Sequence, residues 1–359
     1  MSDVHGKGLS VVVPVKGRVP QLRRLLESLR EAATACQEPV EVLVVDDSEP
    51  ADAQAHRDNC AELRARYLRG PRHVGAKRNE GVRAAAHDLI LFIDSDCLAT
   101  PQLLQRHTKT LRDAGEGVGA VAGPTFVQGV QNAVFRVMAR SKLLNSAFEW
   151  PAQASRVGWA TTSNLAVRRD AFEAVGGFAP RPLTVVGGED VDLGLRLTAA
   201  GHGIVCDADA VVVHDKSSIE HLGTVCRRLV TYGRSGQWLL DVHPHRGRPK
   251  LNRVSTLAAT AVAGGVTAPV SGGAGLLLLP AVAAVLLAVD TKERLGDDAP
   301  TVRALAESVA CAGLDWCFDL GEFIAAWQLG RPDRLFTGFG WTDDPAFVWD
   351  REPANRYGG

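Results

Sequence analysis

Neither a GxGxxG run nor a GxxxxGKS/T run occurs in the 359 residues, so neither a dinucleotide-binding turn nor a phosphate-binding P-loop is expected. Charge shows no excess of one sign. Forty basic residues against 41 acidic ones leave a net charge of -1, which argues against a general nucleic-acid-binding surface. The 7 cysteines are an odd number without a CxxC pair, and give no basis for a disulfide framework or a structural zinc site. Free thiols in a reducing cytoplasm are expected. Residues 1–8 are polar and lack an apolar signal core, so export is not expected. No internal repeat is present. What is there is a globular composition, 46% apolar and 23% charged, too apolar for a disordered chain.

The first hundred residues alternate between two periodicities. Leu9 to Val15, Val40 to Val45 and Leu89 to Ile93 are short, apolar, β-branched runs of the kind that form buried strands. Between them, Pro20 to Ala35 places Leu22, Leu25, Leu26 and Leu29 at helical spacing, and Ala51 to Arg66 and Gly75 to Ala86 are also helix-like. A short strand is expected near Tyr67. Strands alternating with helices predict an α/β fold with a doubly wound, mostly parallel sheet. Residues 115–215 are less regular and are read as the acceptor-binding half of the same domain.

In such sheets ligands bind at the carboxyl ends of the strands. Here those ends carry Lys16-Gly17-Arg18, Asp46-Asp47 and Asp94-Ser95-Asp96. Asp94 and Asp96 stand two apart at a strand exit, so their side chains can share one site with modest bending of the backbone. Carboxylate oxygens suit hard divalent cations such as magnesium and manganese. The alternative is that Asp94 merely caps the following turn.

Seven segments then follow in a recognisable order: Val11-Val12-Val13-Pro14, Val44-Val45-Asp46-Asp47-Ser48, Ala76-Lys77-Arg78-Asn79-Glu80-Gly81, Leu91-Phe92-Ile93-Asp94-Ser95-Asp96, Ser163 to Arg169, Gly176-Gly177-Phe178 and Gly188-Glu189-Asp190-Val191-Asp192-Leu193. Any one of them is weak; the ordered set resembles the family-two inverting glycosyltransferases and their A-type nucleotide-sugar-binding fold. The resemblance covers about residues 9–215.

The resemblance implies a nucleotide-sugar donor, a UDP-sugar before guanine or thymine donors, and a divalent metal, manganese or magnesium. It makes Asp96 the direct metal ligand, with Asp94 on the ribose or completing the metal shell, and His214 a third ligand. His214 ends the apolar run Ala210 to Val213, where a packed or capping histidine is the alternative. Pro14, Asp46, Asp47, Arg78, Asp94 and Ser95 become nucleotide-sugar contacts, Asp47 with Asp46 beside it hydrogen-bonding the base. A turn role for the two aspartates and a solvated face for Lys77 and Arg78 are the alternatives. Asp190 matches the family's general base, which takes the acceptor proton. It precedes a helix whose positive end favours a carboxylate, although Glu189 and Asp190 are equally good as caps of that helix. Glu189, Asn164 and Trp159 are weaker candidates for the acceptor side. Cys97 stands where many relatives have an acidic or small residue. Arg234-Ser235-Gly236-Gln237-Trp238 departs from the Gln-x-x-Arg-Trp of processive synthases, which favours transfer of a single sugar.

After a catalytic domain of residues 1–245, the chain changes character over residues 246–359, expected to be helical. No residue between Arg253 and Asp290 is charged, and Ser271-Gly272-Gly273 divides this stretch into two apolar halves, Val254 to Val270 and Ala274 to Val289. Each half as a helix spans roughly 25 Å, slightly short of a bilayer core. Arg246, Arg248, Lys250 and Arg253 before the pair, with Lys292 and Arg294 after it, suit a membrane hairpin with both ends in the cytoplasm. A buried soluble hairpin is the other reading, given the alanines, the glycines, Pro269 and Pro280. Residues 301–329 are a further helix, either interfacial or packed on the catalytic domain. The expectation is therefore a glycosyltransferase on the cytoplasmic face of a membrane, with a lipid or lipid-linked acceptor. The alternatives are a soluble enzyme decorating a small metabolite and a non-catalytic nucleotide-sugar-binding protein. Oligomeric state is not legible.

Overall fold

The structure is a computed structural model that describes residues 5–130, 132–180, 187–216, 221–295, 301–343 and 345–350. The first four residues of the polar start lie outside them.

The amino-terminal half runs β1 (Gly6–Val15), α1 (Val19–Ala35), β2 (Val40–Asp46), α2 (Pro50–Leu63), β3 (Arg66–Arg69), α3 (Val74–Ala84), β4 (His87–Phe92), β5 (Cys97–Ala99), α4 (Leu103–Asp113), β6 (Val118–Ala122) and β7 (Thr125–Gly129). Strand alternation sorts β1 between two cores. Leu9, Val11, Val13 and Val15 pack with Leu22, Leu25, Leu26 and Leu29 of α1, while Val12 faces the opposite layer with Val82 of α3. Helix α3 lies close enough to β1 that a Cβ on Gly81 would stand 2.4 Å from Val12 Cγ1, so only glycine fits there.

The chain continues through α5 (Ala133–Ala139), α6 (Lys142–Gln153), β8 (Arg156–Val157), β9 (Leu165–Arg168), α7 (Arg169–Ala174), α8 (Glu189–Ala199), β10 (Gly203–Cys206), β11 (Val212–Lys216) and α9 (Leu222–Val242). The main sheet has the order β3-β2-β1-β4-β9-β6-β10-β8. Strands β3, β2, β1 and β4 are mutually parallel, and β9 is inserted antiparallel to both β4 and β6. The mostly parallel α/β sheet expected from the sequence is present. The irregular stretch after residue 115 completes this same sheet. A small second sheet, β5-β11-β7, lies beyond the end of β4.

The remaining elements are β12 (Gly247–Pro249), α10 (Arg253–Thr267), α11 (Leu278–Leu295), α12 (Val302–Gln328) and β13 (Thr337–Phe339). Helix α12 packs along α9 through two glycines. A Cβ on Gly233 would meet Phe318 O at 2.0 Å, and one on Gly321 would meet Val230 O at 2.1 Å. Helices α10 and α11 form the apolar hairpin, joined by a tight crossing of Gly264 against Gly275. Val262, Val266, Val270 and Leu277 are each more than 60% exposed, and Ala274–Leu295 is long and apolar enough to cross a membrane.

Most of the basic residues flanking the hairpin are engaged at its root. Arg253 pairs with Asp290 and Asp319, Lys250 with Asp319 and Glu322, Arg294 with Asp315, and Arg248 with Asp343. Arg246 is buried. The Arg253–Asp319 and Arg294–Asp315 pairs hold the hairpin to α12, and this engagement of the flanking charges weakens their value as a signal of membrane orientation.

Candidate active site

Strand pairing assembles the candidate metal centre. Asp94, Ser95 and Asp96 leave β4 in a turn closed by Cys97 N donating to Asp94 O at 3.1 Å. The chain then enters β5, which pairs antiparallel with β11 and places Cys97 opposite His214. Asp215 N donates to Asp96 O at 2.8 Å. Residues 118 positions apart are thereby brought together: His214 Nε2 lies 3.1 Å from Asp96 Oδ2. The same oxygen meets Arg18 Nη1 at 2.5 Å.

These residues fit a divalent cation. Neither ring nitrogen of His214 has a well-directed hydrogen bond among the described residues, because the 3.1 Å approach to Asp96 is close but misaligned. An orphaned imidazole beside a nearly buried carboxylate is a costly arrangement unless something bridges them. Ligand atoms of Asp96, Cys97 and His214 lie within 4.8 Å of one another. The carboxylate and imidazole suit manganese or magnesium better than the soft sulfur does.

Asp94 sits on the same turn but is held differently. Its Oδ1 accepts from Arg78 Nη2 at 3.0 Å, and Arg78 Nη1 donates to Glu189 Oε1 at 2.9 Å. The Arg78 guanidinium is buried over the Phe178 ring. Burial opposes its charge, but Asp94, Glu189 and Asp190 outweigh burial and push its pKa up. Arg78 therefore ties the strand carrying the aspartates to α8. Gly188 precedes that helix at φ 85°, a left-handed conformation that glycine adopts without strain. Asp190 lies in the helix's first turn, its Oδ1 accepting from Val191 N at 2.9 Å.

The paired aspartates at the end of β2 separate in role. Asp46 is fully buried, accepting from Ser48 N at 2.8 Å and from Tyr67 Oη at 2.9 Å. It braces the strand end instead of facing a ligand. Asp47 Oδ1 accepts from Lys77 Nζ at 2.5 Å, whereas its buried Oδ2 has no hydrogen-bond partner among the described residues. Lys77 also donates to Val15 O at 2.9 Å, and burial lowers its pKa.

A cavity of about 990 Å³ has Pro14, Lys77, Arg78, Asp94, Ser95, Asp96, Asp190 and His214 in its wall, whereas Asp46 and Asp47 are not among its lining residues. Its wall also carries the aromatic residues Phe148, Trp150, Trp159, Phe318 and Trp341, with the Phe148 ring 5.7 Å from that of His214. Trp159 thus lines the cavity, its indole donating to Trp341 O at 2.7 Å. Asn164 does not: it is buried and bonded to His107, Pro124 O and Ala210 O, locking strands together. His107 is itself kept neutral by burial, its pKa pushed down to about 4. Tyr232, Phe318 and Trp341 escaped the sequence reading, since nothing in their spacing links them to residues more than a hundred positions away.

The fold is that of the A-type glycosyltransferases. Residues 10–176 match the family model described as Glycosyl transferase family 2, and they form a domain of that family. Over 247 residues the chain is 30% identical to the pre-mycofactocin glycosyltransferase of Mycobacterium tuberculosis, covering 68% of this chain and 50% of that protein. It is 27% identical over 271 residues to glycosyltransferase AglE of Haloferax volcanii, covering 73% of this chain and 82% of that one. The chain thus spans about half the length of the mycobacterial relative. A mannosyltransferase from Pyrobaculum calidifontis, solved in complex with GDP-Man and Mn2+, superposes with a TM-score of 0.51 over 92% of this chain and 89% of that one. At 19% identity this likeness is one of fold.

Proposed function

We propose that this protein is a divalent-metal-dependent, inverting glycosyltransferase that moves one sugar from a nucleoside diphosphate sugar to an acceptor hydroxyl. The observation that carries the reading is that Asp96 and His214, 3.1 Å apart, line the same cavity as Asp190. Asp96 and His214 would hold the cation, with Asp94 beside them. When bound, that cation neutralises charge growing on the diphosphate leaving group. Asp47 Oδ2, buried without a hydrogen-bond partner and 3.8 Å from Lys16 Nζ, supplies an acceptor for a base N–H. A uracil imide is the first expectation, and a guanine N–H would satisfy it too. Asp190 takes the proton from the acceptor hydroxyl as that oxygen attacks the anomeric carbon, and Arg78 fixes α8 relative to the donor.

The aromatic residues lining the cavity and the exposed hairpin favour a lipid or lipid-linked acceptor, with the enzyme on the cytoplasmic face of a membrane. Asp190→Asn tests the base: transfer should fall about 100-fold or more, with metal-dependent donor binding retained, and the product should carry inverted anomeric configuration by NMR. Retained configuration, or full activity in the variant, contradicts the assignment.

A further inference from the structure

The loop leaving β1 makes an unusual approach to the candidate metal centre. Gly17 and Arg18 are consecutive left-handed residues, at φ 62° and 59°. The first is pinned by Gly17 N donating to Ser48 Oγ at 2.7 Å. The double turn sends the Arg18 side chain back over the end of the sheet. Although Arg18 stands at the N-cap of α1, its side chain makes no capping bond there. Its guanidinium reaches Asp96 Oδ2 instead, at 2.5 Å, the oxygen that also faces His214. The Arg18 side chain is nevertheless about half exposed and lines the cavity.

We infer that Arg18 is a positioning residue that stands in for the cation at Asp96 in the metal-free enzyme and moves to the donor's diphosphate when metal enters. The inference rests on the metal-dependent reading above. Its physical basis is competition for one oxygen. With a guanidinium held 2.5 Å from Oδ2, a divalent ion ligating that oxygen must compete with it. Two cations on one carboxylate oxygen repel, so metal binding displaces Arg18. A side chain half in solvent is free to swing, whereas the buried Arg78 and Lys77 are locked by their own partners.

Two consequences follow. Metal alone binds weakly, because it must first break the Arg18–Asp96 pair; an equilibrium that leaves only a fraction of sites open weakens apparent affinity by that fraction. A nucleoside diphosphate offers the released guanidinium a new anionic partner, so nucleotide and metal favour each other reciprocally. The site is thereby held in order while empty, and charged with metal mainly when donor is present.

The test is Mn2+ binding followed by electron paramagnetic resonance, with and without UDP or GDP, for wild type, Arg18→Gln and Arg18→Lys. Thermal melts confirm folding of each. Arg18→Gln should bind Mn2+ alone on the order of tenfold tighter than wild type, within the usual range of coupling between sites. It should also bind nucleoside diphosphate more weakly at saturating Mn2+. Arg18→Lys, which keeps the charge, should stay near wild type for Mn2+ alone. If Arg18→Gln shows no gain in Mn2+ affinity while metal binds with nucleotide, the role of Arg18 is overturned and the metal site stands. If no variant binds Mn2+ with or without either nucleotide, the metal reading falls, and the inference with it.

Discussion

Asp46 and Asp47 are neighbours in sequence with opposite fates. At the end of a strand adjacent side chains point to opposite faces, so one carboxylate turns into the protein against Tyr67 and Ser48 while the other meets Lys77. Asp46→Ala should therefore lower stability by roughly 1–3 kcal/mol, the cost of leaving buried donors unpaired, with the donor KM unchanged. Asp47→Asn, which leaves the buried Lys77 ammonium without its counter-charge, should also lower stability but, unlike Asp46→Ala, should weaken nucleotide affinity. Equal effects of the two substitutions would contradict this division. The sequence showed both aspartates at a strand end, but not which one turns into the protein, because strand phase at a terminus depends on partners such as Tyr67 on the next strand. Motif order picked out Asp94, Asp96, Asp190 and His214, and the fold gathers all four around one cavity. Arg78 was expected near the base; its buried bridge between Asp94 and Glu189 was not readable without the tertiary contact.

Among elements, α12 shows what periodicity leaves open. Its apolar residues allowed either a membrane interface or packing, and the glycine contacts with α9 settle it as packed. The cost is a buried polar root, where Lys250 and Arg253 face Asp290, Asp319 and Glu322, two cations against three carboxylates. Burial first, and Asp319 after it, push the pKa of Glu322 up to about 7, against the opposing pull of Lys250 and Asn252. A carboxyl whose folded pKa lies above its unfolded value contributes stability that is complete below the ordinary carboxylate range and lost as pH rises through the folded value. Thermal midpoints should accordingly decline between pH 5 and 8, and Glu322→Gln should flatten that slope. An unchanged slope in the variant would place the proton elsewhere in the cluster.

For the whole molecule, a sheet-centred domain carries an apolar hairpin fixed at one end by ion pairs to α12. The free part of that hairpin exposes valine and leucine along both helices, more than a water-facing surface ordinarily shows. The full chain should float with anionic phospholipid vesicles, and replacing Val266, Val270 and Leu277 with serine should leave it in the soluble fraction. Flotation unaffected by these changes would mean the hairpin is not the contact. The sequence located this segment by composition alone, whereas the pairing of its flanking charges emerges only from the fold. The central claim, that one cavity joins a metal-held donor to a general base, is tested most directly by nucleotide release from a panel of nucleotide sugars, with Mn2+, Mg2+ or chelator, in wild type and Asp96→Ala. The account expects metal-dependent release from one donor, abolished by chelator and by the substitution. A folded wild-type protein that neither releases nucleotide nor binds any donor with metal present would contradict it.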